Sequence, residues 1–171
     1  MQDMLTRTFV ILSFFLALNA NVHAQSVLER QNSGKTTNVS RDDKEMRAAY
    51  AKARSTLPNF LKMLDSLPLN VESMAIKLGI PGGGHTEYFW ISDIRREGAN
   101  FVGRIGNQPN YATHLSIGDQ VRFSRGQIVD WTYRNKVTGR LVGNFTGCAI
   151  LRKEPAADRQ RFAEATGLYC D

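Results

Sequence analysis

Past residue 18 the sequence has no apolar run of the ~20 residues that a membrane-crossing helix takes. Cysteine and histidine are scarce, at two and three residues. Two distant cysteines, Cys148 and Cys170, make neither a zinc site nor a Cys-x-x-Cys redox motif, and neither has an evident histidine base to activate it as a nucleophile. The glycine run Gly82–Gly84 lacks the lysine of a phosphate loop and no helix follows it. There is no Gly-x-Ser-x-Gly, so a serine-hydrolase elbow is unsupported. No internal repeat is present. The common enzyme signatures are therefore missing, and the sequence does not announce a function.

What is present begins with a processing signal. Phe9 to Leu18 is apolar apart from Ser13, with Arg7 before it and small residues, Val22 and Ala24, ahead of Gln25. This is the layout of a secretory signal peptide over residues 1–24, cut after Ala24. The expectation is a periplasmic or secreted protein of 147 residues after removal of 24 from 171, with no membrane span left. A chain of that size buries about 70% of its unfolded surface and forms one domain. Asp3 and Arg7 cancel in the signal segment, so the mature chain keeps the whole net charge of +6. A charge of this sign suits solubility and also attracts acidic partners such as anionic lipid, cell-wall polymer or an acidic protein. Scattered charges and export argue against nucleic acid. In an oxidising compartment Cys148 and Cys170 are candidates for a disulfide, with a pair of free buried thiols as the alternative.

Residues 25–40 are polar and read as a flexible leader, and residues 41–171 as a single α+β domain. Ser40, with Asp43 three residues on, resembles a capping box opening a first helix. Met46, Ala49, Tyr50, Ala53 and Leu57 make one apolar stripe at spacings of three and four. Pro58 interrupts it, and Phe60, Leu61, Met63 and Leu64 continue it up to Pro68, which predicts a kinked helix or helical hairpin. Strands are predicted over 71–80, 85–94, 101–105, 121–124, 127–133 and 141–151, and a last helix over 156–166. Close turns between five or six strands predict a curled antiparallel sheet, with the N-terminal helical segment and the C-terminal helix packed on it.

Both tryptophans stand near a carboxylate, in His85-Thr-Glu87-Tyr-Phe-Trp90 and in Asp130-Trp131. Strand alternation puts His85 and Glu87 on one face and Trp90 on the other, and separates Asp130 from Trp131 in the same way. A His and a Glu two apart can hold a metal together, with His114 or Asp119 completing the set, or act as an acid/base couple. Glu87 and Asp130, if close, can split their pKa values and serve as acid and base. Against each stands a plainer alternative: a surface histidine, carboxylates that bond loop amides or arginines, and tryptophans that are core. A polar, asparagine-rich loop from Asn107 to Asn110 can frame one rim of a groove.

An ordered set of short motifs spans Asp42 to Leu151. It runs through Asp43-x-x-Met46, Ala53-Arg-x-Thr-Leu57, Glu87-x-x-Trp90, Gly103-x-Ile105-x-Asn107-x-Pro109, Gly118-Asp119-x-Val121 and Asp130-Trp131. Gly139-x-x-x-Gly143-x-x-Thr146 closes it. In this order the chain resembles the bacterial YegJ-like family, domain of unknown function 2314. The resemblance implies a compact bacterial domain, exported in some members, and brings no established activity. His85 stands two residues before Glu87, whereas the family form has a histidine directly beside that acid, which weakens any shared histidine role.

The expectation is therefore a non-enzymatic binding module for a protein or cell-envelope ligand, needing no cofactor. Its groove would be lined by Glu87, Trp90, Asn107, Asp130 and Trp131. The alternatives are a hydrolase-like enzyme using Glu87 and Asp130, with His85 as a further candidate, and an envelope protein held to anionic polymer by charge.

Overall fold

The computed structural model describes residues 43–170. The expected signal peptide, its cut after Ala24, the leader and Ser40 lie outside these residues. The first helix, α1 (Lys44–Ser66), is capped by Asp43, whose carboxylate accepts a hydrogen bond from the Met46 amide at 3.0 Å. Asp43 thus takes the capping place expected for Ser40. The helix is one element with Pro58 inside it, not a hairpin. Its apolar stripe is buried as spaced, from Met46 through Ala53, Leu57 and Phe60 to Leu64. Leu67, in the left-handed region, ends it by donating to the Met63 carbonyl.

Six antiparallel strands follow: β1 (Val71–Gly82), β2 (His85–Glu97), β3 (Asn100–Ile105), β4 (Gln120–Ser124), β5 (Ile128–Asn135) and β6 (Leu141–Gly143). Their spatial order is β4-β3-β2-β1-β5-β6 in one unclosed sheet. The β1–β2 hairpin turns on Gly83 and Gly84, both with positive φ, which is the twist that a two-residue hairpin needs. One sheet face supplies Ile76, Leu78, Phe89, Ile91, Phe101 and Trp131, which pack with Leu57, Phe60, Leu61 and Leu64 of α1 into the main core. Fully burying one such side chain contributes about 1.5–3 kcal/mol.

The expected last strand over 141–151 is corrected by the structure. Only Leu141–Gly143 pairs with β5; Phe145–Leu151 is a helix, α2. Gly143 (φ 87°) and Asn144 (φ 53°) turn the chain out of the sheet, and the Asn144 side chain accepts from the Gly147 amide. Only glycine fits at 143, because a Cβ there would stand 2.3 Å from the Trp131 carbonyl oxygen. The predicted C-terminal helix is present as α3 (Ala156–Thr166), with Phe162 and Ala163 buried. Cys148 and Cys170 form a disulfide, so the last residues are tied to α2 and not to a strand. Cys148, Leu151, Phe162 and Leu168 pack around it as a second core. Among the described residues, no helix is long and apolar enough to cross a membrane.

Candidate functional site

The two carboxylates of the tryptophan segments are brought close to different parts of the fold. On β1, Ile80 lies opposite Glu87 and Lys77 lies opposite Asp130. Ile80 and Lys77 are three residues apart on one strand, so Glu87 and Asp130 belong to opposite faces of the sheet. That arrangement does not make the acid/base couple considered from sequence.

Glu87 is buried on the core side and holds a loop. Its Oε1 accepts from the Asn110 amide at 2.7 Å and the Asn110 side chain at 3.2 Å; Oε2 accepts from the amides of Tyr111 and Ala112 at 2.9 and 3.0 Å. Burial pushes the carboxyl pKa up, but the hydrogen bonds from Ala112, Tyr111 and Asn110 outweigh it, and the value lies below the usual 4.5. Asn107 works from the other side of the same loop. Its Oδ1 accepts from the Trp90 amide at 2.8 Å, while the Gly106 amide donates to the Trp90 carbonyl, so the loop continues the ladder that β3 makes with β2. Glu87 and Asn107 latch residues 106–112 onto β2.

Asp130 is fully buried and caps α2 from a distant strand. Its Oδ2 accepts from the amide and the hydroxyl of Thr146 at 2.8 and 2.6 Å, and its Oδ1 accepts from the Trp131 and Phe145 amides. The Thr146 hydroxyl also accepts from the Lys77 ammonium at 2.6 Å. Burial lowers the Lys77 pKa, and the charge of Asp130 opposes that shift. Lys77 was not singled out in the sequence, and Thr146 entered there only as the last residue of a motif, with no role. The signal for them was Asn144-x-x-Gly147 after a glycine, a helix start in place of a continuing strand.

The tryptophans divide as alternation requires. Trp131 is core, stacked on Phe60 with ring centroids 5.1 Å apart and donating its indole N–H to the Ala53 carbonyl. Trp90, half-buried on the opposite face, has the Lys77 ammonium 4.5 Å from its ring. His85 is exposed, its ring 4.8 Å from that of Tyr111. Among the described residues, no group of three or more His, Cys, Asp or Glu side chains is placed to hold a metal ion, and His114 and Asp119 do not join His85 and Glu87. The five residues expected to line one groove therefore do not do so: Glu87, Asp130 and Trp131 are interior.

A cleft of about 780 Å³ lies elsewhere, where the start of α1, β6, α2 and the last residues meet. Lys52, Arg140 and Arg152 line it, among the described residues no carboxylate does, and its apolar walls come from Ala49, Leu141, Val142 and Phe145. The disulfide and Tyr169 close one side. The Arg140 guanidinium carbon lies over the Tyr169 ring, 4.4 Å from its centre, a cation–π contact. A neighbouring cleft of about 420 Å³, between α2, α3 and the C-terminal residues, includes the carboxylate of Glu164. The basic cleft was invisible in the sequence because Lys52, Arg140 and Arg152 are far apart in the chain and carry no motif.

A family model described as "Uncharacterized protein conserved in bacteria (DUF2314)" matches residues 43–169. The uncharacterized protein YegJ of Escherichia coli (strain K12) is 28% identical over 105 residues, which cover 61% of this chain and 66% of that protein's length. No solved structure matches significantly. Residues of the short motifs read from the sequence meet in pairs within the fold: Glu87 with the loop after Asn107, Asp130 with Thr146, Gly143 with Trp131.

Proposed function

This chain belongs to the bacterial DUF2314 family, and from that premise we propose that it is an exported, non-enzymatic binding module that holds an acidic ligand of the cell envelope. The observation that carries this is the cleft beside the disulfide, where Lys52 and Arg140 are part of the lining and, among the described residues, no carboxylate is. A convergent set of like charges in a concavity concentrates field lines and attracts ligands of opposite sign. The net charge of +6 acts in the same direction. Glu87 and Asp130, the residues on which a hydrolase would rest, instead accept hydrogen bonds from the protein itself and lie on opposite faces of the sheet.

The test is capture of ligand from envelope extract by the mature protein. Capture should weaken as salt rises from 0.1 to 1 M, because the screening length falls from about 10 to 3 Å. It should be lost in Lys52→Glu/Arg140→Glu and retained in Trp90→Ala. Retention by the charge-reversed protein and loss in Trp90→Ala would contradict the proposal. Export is checked by sequencing the N-terminus of the native protein: Gln25 is expected, and a chain that keeps Met1 in the cytoplasm would overturn it.

A further inference from the structure

We infer that the cleft beside the disulfide takes an anionic amphiphile: one phosphate or carboxylate group held between Lys52 and Arg140, with an alkyl or aryl remainder against the apolar lining. This inference rests on the binding-module proposal above and names the chemistry of its ligand. Two features of the same cleft carry it. The first is charge left for a ligand. Among the described residues, neither the Lys52 ammonium nor the Arg140 guanidinium has a carboxylate partner, although both line the cleft. The Arg140 guanidinium carbon lies over the Tyr169 ring, 4.4 Å from its centre, so the ring restricts the guanidinium from one side. A planar fork restricted in this way matches the two oxygens of a carboxylate or phosphate.

The second feature is the apolar part of the lining. Leu141, Val142 and Phe145 line the cleft together with the cations, and its volume of about 780 Å³ lies in the range of small-ligand sites, larger than a bare phosphate ion fills. A fully hydrated ion would leave this apolar part wet. A ligand with an apolar portion covers it and so gains from both halves of the cleft. Both the C-terminal residues and α2 contribute to the wall, and the Cys148–Cys170 bond holds one to the other, so the two halves keep their spacing.

The experiment is calorimetric titration of the mature protein with three probes: monomeric dodecyl phosphate, dodecyl maltoside with the same alkyl chain and no charge, and inorganic phosphate. Dodecyl phosphate should bind at least about ten-fold tighter than either of the others, and Arg140→Glu should weaken it about ten-fold or more, the size of a lost charge-assisted hydrogen bond. Val142→Asp, which puts a carboxylate into the apolar lining, should do the same in a protein whose circular dichroism is unchanged. Equal binding of the neutral and charged amphiphiles, or affinity unmoved by Arg140→Glu, would overturn the inference. Tight binding of poly-glutamate without binding of dodecyl phosphate would also overturn it, in favour of a polymeric acid. In that outcome the binding-module proposal would survive as long as capture from envelope extract still depended on Lys52 and Arg140; if capture were independent of both, the two proposals would fail together.

Discussion

Around Glu87 and Asp130 each carboxylate oxygen is met by donors from the protein, whereas in the cleft beside the disulfide Lys52 and Arg140 have no carboxylate partner among the described residues. The first region spends its charge on shape. Glu87 fixes a loop against β2, and Asp130 fixes the start of α2 against β5. The second region has its shape fixed by other means, a disulfide and a small apolar core, and its charges face solvent. A carboxylate near a tryptophan is therefore a poor guide to function in this fold, because burial with full hydrogen bonding is what a structural carboxylate requires. A cation in a concavity with no carboxylate partner among the described residues is the better guide, since its charge is not used by the fold.

This contrast is broken or sharpened by substitution, and the largest effect is expected at Asp130. Asp130→Ala leaves the amides of Phe145 and Thr146 without their acceptor and Lys77 without its counter-charge. It should cost about 3–5 kcal/mol by urea denaturation, the range for removing one partner from a buried charged network. A cost below about 1 kcal/mol would mean that α2 is not held by this residue. Replacing both Cys148 and Cys170 by Ser should cost about 3 kcal/mol, as expected for a loop closed over a sequence separation of 22. It should also weaken dodecyl phosphate binding, because the cleft loses its fixed wall. Unchanged stability would show that the surrounding apolar cluster suffices.

Glu87→Gln should cost about 2 kcal/mol, since the amides it satisfies lose a charged acceptor. Its pH dependence is more specific. The folded pKa of Glu87 is depressed, so its contribution is complete above the unfolded value near 4.5 and is lost as pH falls below that value and through the folded one. Denaturation measured from pH 7 down to pH 3 should show wild type losing this increment and Glu87→Gln losing correspondingly less; identical acid profiles would remove the latch. The smallest stability change is expected in the cleft. Lys52→Ala and Arg140→Ala should each stay within about 0.5 kcal/mol of wild type, as exposed residues do. A loss as large as that at Glu87 would mean that these cations are structural too, and the contrast would disappear.

Much of the architecture was legible because it follows local periodicity. The stripe from Met46 to Leu64 spells α1 despite Pro58, and the alternation in His85 to Ile91 spells β2, although it did not tell that the face of Glu87, Phe89 and Ile91, and not that of Trp90, is the inward one. The segment after Gly143 was not legible in the same way. Phe145-Thr-Gly-Cys-Ala-Ile-Leu151 has strand-like composition, and its helix is anchored by Asp130, a cap from another strand that no window around residue 145 contains. Only the positive φ of Asn144 and its bond to Gly147 are local. The candidate site failed for a related reason. Alternation correctly separated Glu87 from Trp90 and Asp130 from Trp131, but it could not say that the outward carboxylate of β5 would be covered by α2. The cations of the cleft are assembled from α1, the turn before β6 and the end of α2, so their nearness exists only in the folded chain.

The most direct test of where recognition lies is the amide chemical-shift map of the folded protein titrated with dodecyl phosphate. Saturable shifts should concentrate at Ala49, Lys52, Arg140, Val142 and Tyr169 and leave Tyr88, Trp90 and Asn107 in place. Shifts that gather on Tyr88, Trp90 and Asn107 while the cleft stays silent would contradict the account.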